Sequence, residues 1–167
     1  MEPAQGLLTF AEIAVAFAGF SSLVVLFRRD ASGRWRRIDA LAFRDMIGIS
    51  LVAAAFSVFP FLVLQFSPQP AVVWGSLSAL LALCMLGAIL ILAPSVLRAV
   101  TSRSEGAIAV SGFAGTAVAL VLLGLNALGI GFERTPGPYV GALVWLLVIA
   151  GLMFSRLVVI PTDQIRE

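Results

Sequence analysis

Residues 71–93 read AVVWGSLSALLALCMLGAILILA, an apolar run without a single charged side chain. About 20 helical residues cross a hydrocarbon core about 30 Å thick, so this stretch predicts a membrane-spanning helix. Residues 6–27, 46–66, 107–130 and 139–160 have similar length and character. Lipid offers no partner for a free backbone N–H or C=O, so spanning segments make those bonds internally as helices. The expected fold is all-α: a polytopic transmembrane helix bundle of five spans, one integral membrane domain over residues 1–167. The connectors are too short to hold an extramembrane module.

Composition agrees. Charged residues are 12% of the chain and hydrophobic ones 60%, whereas soluble domains average about 25% charged. The charges fall almost entirely between the apolar runs, and all the basic residues are arginine. The first connector carries Arg28, Arg29, Arg34, Arg36 and Arg37, with Arg44 just inside the next helix. The third carries Arg98 and Arg103, and the C-terminal end carries Arg156 and Arg166. The opposite side has only Arg134. The positive-inside rule then predicts an outside N-terminus and a cytoplasmic C-terminus. The first span does not read as a signal peptide, because its basic cluster follows the apolar stretch instead of preceding it. Arginine without lysine, together with abundant alanine and glycine, suggests a GC-rich coding bias and hence a bacterial plasma membrane.

The segment Arg28-Arg29-Asp30-Ala31-Ser32-Gly33-Arg34-Trp35-Arg36-Arg37 holds five arginines against one aspartate, a local charge of +4. Trp35 suits the headgroup region, and basic residues near the surface attract anionic lipid. Arg28, Arg29, Arg34, Trp35, Arg36 and Arg37 are therefore expected to touch lipid headgroups and to anchor the topology. One short loop against a membrane offers no grooved or stacking surface, so nucleic acid is not an expected partner.

Catalytic chemistry finds little footing. With no histidine in the chain, common zinc sites and a Ser-His-Asp triad are excluded. Cys84 is the only cysteine and reads as a small packing residue. No GxxxxGK phosphate loop occurs, nor any acid cluster for a metal. The protein is expected not to be an enzyme, with no cofactor and no metal.

Small residues recur at helical spacing. Ala14, Ala18 and Ser22 share one face of the first span, and Ala107, Ser111, Gly115 and Ala119 share one face of the fourth. Such faces let helices approach closely in lipid, so the first and fourth spans are expected to pair. Ile13 to Gly19 and Ile108 to Gly115 also look alike, which is read as shared composition and not as an inverted repeat.

Glu12 and Asn126 are the sharpest polar residues within spans, both toward the arginine-poor side, with Gln65, Ser76 and Ser78 at similar depth. An acid there is costly in lipid and should face protein or water. Glu12 with Asn126 is read as an ion or proton site, or else as a packing hydrogen bond. Arg44 and Asp45 near the other side are expected to pair locally while Arg44 snorkels. Pro60 removes one intrahelical bond and predicts a bend, with neighbouring helices or hydroxyls able to re-satisfy the freed carbonyl. Two functions are expected from these readings. The first is a small homo-oligomeric channel or transporter-like protein for protons or small cations; the second is a non-catalytic module binding a membrane protein partner or anionic lipid.

Overall fold

The computed structural model describes residues 3–32, 37–66, 69–100 and 102–159, with the side chains of 3–5, 21–22, 24–32, 37–40, 104–105 and 156–159 outside that description. It is all-helical, in the order α1 (Pro3–Ser32), α2 (Arg37–Phe66), α3 (Pro70–Ala99), α4 (Arg103–Leu128) and α5 (Pro136–Val159). Four stretches are long and apolar enough to cross a membrane: Leu41–Phe66, Pro70–Ala99, Gly106–Leu128 and Pro136–Ser155. Within α1 the described apolar stretch is the shorter Gly6–Phe20. The chain is thus an apolar helical bundle of the kind that sits in a membrane. The helices overrun the expected apolar limits, because Ala, Leu and Arg favour helix whether or not the turn lies in lipid.

Local sequence explains the helix ends. Pro70 and Pro136 open α3 and α5, where the missing N–H has no intrahelical acceptor to lose. Gly129 closes α4 with φ +75°. Its N–H donates to Asn126 O at 3.1 Å, and the Ile130 N–H donates to Leu125 O at 2.8 Å. This paired return of bonds onto the last turn needs a left-handed residue, which glycine adopts without a steric penalty.

Helix α5 packs against all four others, whereas α1 touches α2 and α5, and α4 touches α3 and α5. Accordingly α5 buries Tyr139, Ala142, Leu143, Leu146, Leu147 and Ala150. The outer surface is apolar, with Leu83, Leu90 and Ile91 each about two-thirds exposed. Lipid, which is itself apolar, accommodates such a surface at no hydrophobic cost.

The close α1–α4 pair expected from the small-residue faces is not formed. Among the described residues those helices are not neighbours. Ala14 is fully buried in the core that α1 shares with α2 and α5. Gly115 instead lies beneath the Trp145 ring of α5, where a Cβ on Gly115 would collide with the indole. The small residues do permit close approach, but spacing within one helix carries no information about which neighbour fills the gap.

Helix α2 continues through Pro60. Pro60 lacks the N–H that would bond the carbonyl four residues back, at Phe56. The Tyr139 hydroxyl of α5 donates to that Phe56 carbonyl. Tyr139 also packs at a tilt on Trp74 of α3, with centroids 5.7 Å apart, so one side chain ties α2, α3 and α5 together beside the proline.

Candidate functional site

At the arginine-poor end the α4–α5 loop is held by Asn126. Its Nδ2 donates to Ser78 Oγ at 2.8 Å and to the Thr135 carbonyl at 3.0 Å, and its Oδ1 accepts the Thr135 N–H at 3.0 Å. An asparagine in apolar surroundings needs such a set, since each unmet group there carries a desolvation penalty. Within the loop, Glu133 and Arg134 have φ of 48° and 56°, and the Arg134 side chain lies across Gly75 of α3, where a Cβ would meet its Cδ at 3.0 Å. A larger residue at position 75 would displace it.

Toward the arginine-rich end α2, α3, α4 and α5 part around a cavity of about 1030 Å³. Its walls run from Leu41 to Val52 on α2, from Cys84 to Val100 on α3, from Ile108 to Thr116 on α4 and from Trp145 to Ser155 on α5. At about 1.5 Å per residue, the α3 wall extends about 24 Å. The volume matches the upper range of small-molecule sites, about 300–1000 Å³.

Trp145 and Thr116 are its inner polar residues. Trp145 Nε1 donates to Thr116 Oγ1 at 3.1 Å, and that hydroxyl donates to the Gly112 carbonyl at 2.8 Å. Both polar groups are thereby satisfied, leaving an apolar interior. Gly112 and Gly48 also line the space, and a Cβ at either would meet nothing within 4 Å.

Polar character collects at Arg44, Asp45, Ser111 and Ser155. Asp45 is 6% exposed, and its Oδ1 lies 3.6 Å from Nε of Arg44, whose side chain is 67% exposed. The expected local pairing and outward reach of Arg44 are both present. Ser111 donates to Ile108 O and Ser155 to Leu152 O, each at 2.9 Å within its own helix.

The other expected residues are dispersed. Glu12 is exposed on α1, while Asn126 is fully buried in the loop clamp, so the two are not brought together. Of the proposed companions, Ser78 joins Asn126, Ser76 bonds the Val73 carbonyl of its own helix at 3.1 Å, and Gln65 is exposed. Ala119 is buried, Ala107 and Ser111 are exposed, and Ala18 is half-buried. The side chains of Arg28, Arg29 and Arg37, the residues Arg34, Trp35 and Arg36, and the side chain of Ser22 lie outside the described set. Among the described residues no group of three or more acids and cysteines is placed to hold a metal.

Sequence reasoning passed over the cavity. One signal was legible: Trp145 stands near the middle of an apolar run, although tryptophan in membrane helices favours the interfaces. The parting of helices leaves no comparable mark, because lipid-facing and cavity-facing leucines are the same residue. No protein-family model, curated protein or solved structure matches this chain.

Proposed function

We propose that this is a multi-pass membrane protein that binds a membrane amphiphile in the cavity between α2, α3, α4 and α5, acting as a non-catalytic lipid-binding module. The observation that carries the reading is the cavity itself: about 1030 Å³, apolar inside, with a buried acid and an arginine where it turns polar. Apolar walls with a few placed polar groups are the usual anatomy of a small-molecule site, and inside a bilayer the molecule at hand is lipid. In this reading the chain crosses five times, α1 included, with its N-terminus outside and its arginine-rich connectors in the cytoplasm. The cavity then lies in the cytoplasmic leaflet. The test is to fill it. Gly112→Phe has room at Cβ and should yield a folded protein that retains less co-purifying lipid after a detergent wash, counted by native mass spectrometry. Retention equal to the parent's would remove the proposal. For orientation, Ser32→Cys in a Cys84→Ala background should resist an impermeant maleimide in intact cells.

Ion passage through a homo-oligomer is the second reading, supported by Glu12. That carboxylate is exposed on α1 beside exposed Leu8, Ile13 and Val15, a position where an acid gains from cover by a second copy. Proteoliposomes would then pass protons or small cations, and Glu12→Gln would suppress the flux while leaving the bundle folded.

A further inference from the structure

Resting on the lipid-binding reading, the chemistry of the cavity's polar residues narrows the class of lipid. Asp45 is the one acid among the described residues that line the cavity. It is nearly buried, and its recorded ionic partner is one guanidinium nitrogen at 3.6 Å on a largely exposed side chain. A carboxylate at that depth is poorly compensated by so long and solvated a contact, and acids within spans ordinarily mark a ligand or a partner. The hydroxyl hydrogens of Ser111 and Ser155 are committed to their own helices, which leaves both oxygens as acceptors. Among the described lining residues Asp45, Ser111 and Ser155 offer acceptors and Arg44 a cation, and Asp45 and Arg44 are adjacent. A primary ammonium is the complement of the acceptors, with three donors and no acceptor; a phosphate is the complement of Arg44.

Depth agrees. Arg44 and Asp45 directly precede the charge-free run 46–66 of α2, which sets them at the edge of the hydrocarbon. The headgroup zones add about 5–7 Å on each side of the hydrocarbon, so a group that reaches Arg44 and Asp45 sits just below that zone, with its chains in the apolar part. We infer that the cavity selects a zwitterionic phospholipid bearing a primary amine, a phosphoethanolamine, with its phosphate toward Arg44 and its ammonium toward Asp45. A phosphocholine carries no N–H to give, and a phosphoglycerol sets an uncompensated anion beside Asp45.

The test titrates delipidated full-length protein with phosphoethanolamine, phosphocholine and phosphoglycerol lipids of identical oleoyl chains, counting bound lipid by native mass spectrometry. Phosphoethanolamine should bind about tenfold more tightly than the other two, the scale of one charge-assisted hydrogen bond. Asp45→Asn should bring it down to their level, and Arg44→Gln should weaken all three. Phosphoglycerol binding as tightly as phosphoethanolamine, or an unchanged ranking in Asp45→Asn, overturns the headgroup assignment. Should Asp45→Asn not fold, the ranking by the parent protein decides alone. Gly112→Phe separates the two proposals: if it weakens all three lipids while the parent shows no headgroup preference, the cavity reading stands and the assignment falls. If it weakens none, both fall.

Discussion

The two ends of this bundle are built differently. At the arginine-poor end polar groups bond across elements: Asn126 of α4 joins Ser78 of α3 and Thr135 of the loop, and Tyr139 of α5 joins Phe56 of α2. At the arginine-rich end Ser111 and Ser155 bond within their own helices, and Arg44 contacts its sequence neighbour Asp45. In lipid there is no hydrophobic force between helices, so packing and interhelical hydrogen bonds decide which surfaces stay together. Among the described residues, the end with these cross-links is packed, and the helices part around the cavity toward the other end. The α4–α5 seam at Gly115 and Trp145 lies where one regime gives way to the other.

The largest expected effect is at that seam. Gly115→Leu must displace the Trp145 indole and break its bond to Thr116. Overpacking a filled site costs about 1–3 kcal/mol, and more where backbones must move, so this variant should be the least stable of the set in detergent melting. Gly112→Leu, one turn away and facing the cavity, should melt near the parent. Equal stability of the two would mean that the seam is not tightly closed.

Asn126→Ala comes next. It removes three hydrogen bonds and takes the Asn126 donor from the Thr135 carbonyl, while the Thr135 N–H keeps the Phe132 carbonyl at 3.0 Å as acceptor, a loss of about 1–3 kcal/mol. The α4–α5 loop should also become more open to protease in the variant. An unchanged digestion pattern would show that the left-handed turn at Gly129 holds the loop unaided.

Tyr139→Phe should destabilise by about 1–2 kcal/mol, because it strands the Phe56 carbonyl. Pro60→Ala restores an N–H four residues after Phe56, so in that background Tyr139→Phe should lose much of its effect. A double-mutant cycle measures the difference. Strictly additive variants would mean that Tyr139 contributes through ring packing on Trp74 and not through its hydroxyl.

The fold was legible to the extent that lipid imposes it. Long charge-free runs announce helices, and Pro70, Pro136 and Gly129 mark their ends through local backbone rules. Pro60 marked a freed carbonyl, and that the Tyr139 hydroxyl serves it had to come from the structure. Neighbour relations were not legible, since Ala14 and Gly115 both mark close approach yet neither names its partner. The polar residues misled for a related reason. Asn126 was placed opposite Glu12 from similar depth and from the small-residue face of an expected α1–α4 pair, and with Trp145 of α5 against that face at Gly115 the two helices are not neighbours.

The smallest effect tests the same comparison through two serines. Ser78 of α3 is buried and accepts from Asn126, whereas the Ser50 hydroxyl of α2 is buried with no hydrogen-bond partner among the described residues. A satisfied hydroxyl contributes about 1 kcal/mol net, and an unsatisfied one costs its desolvation without return. Ser78→Ala should therefore lower stability by about 1 kcal/mol or more, as it strands one donor of Asn126. Ser50→Ala should be neutral or raise stability by a few tenths of a kcal/mol, because it removes the penalty together with little volume. Thermal melts of the two variants in one detergent decide the matter. A Ser50→Ala protein as weakened as Ser78→Ala would show that Ser50 does have a partner, and would add a polar contact to the α2 wall of the bundle.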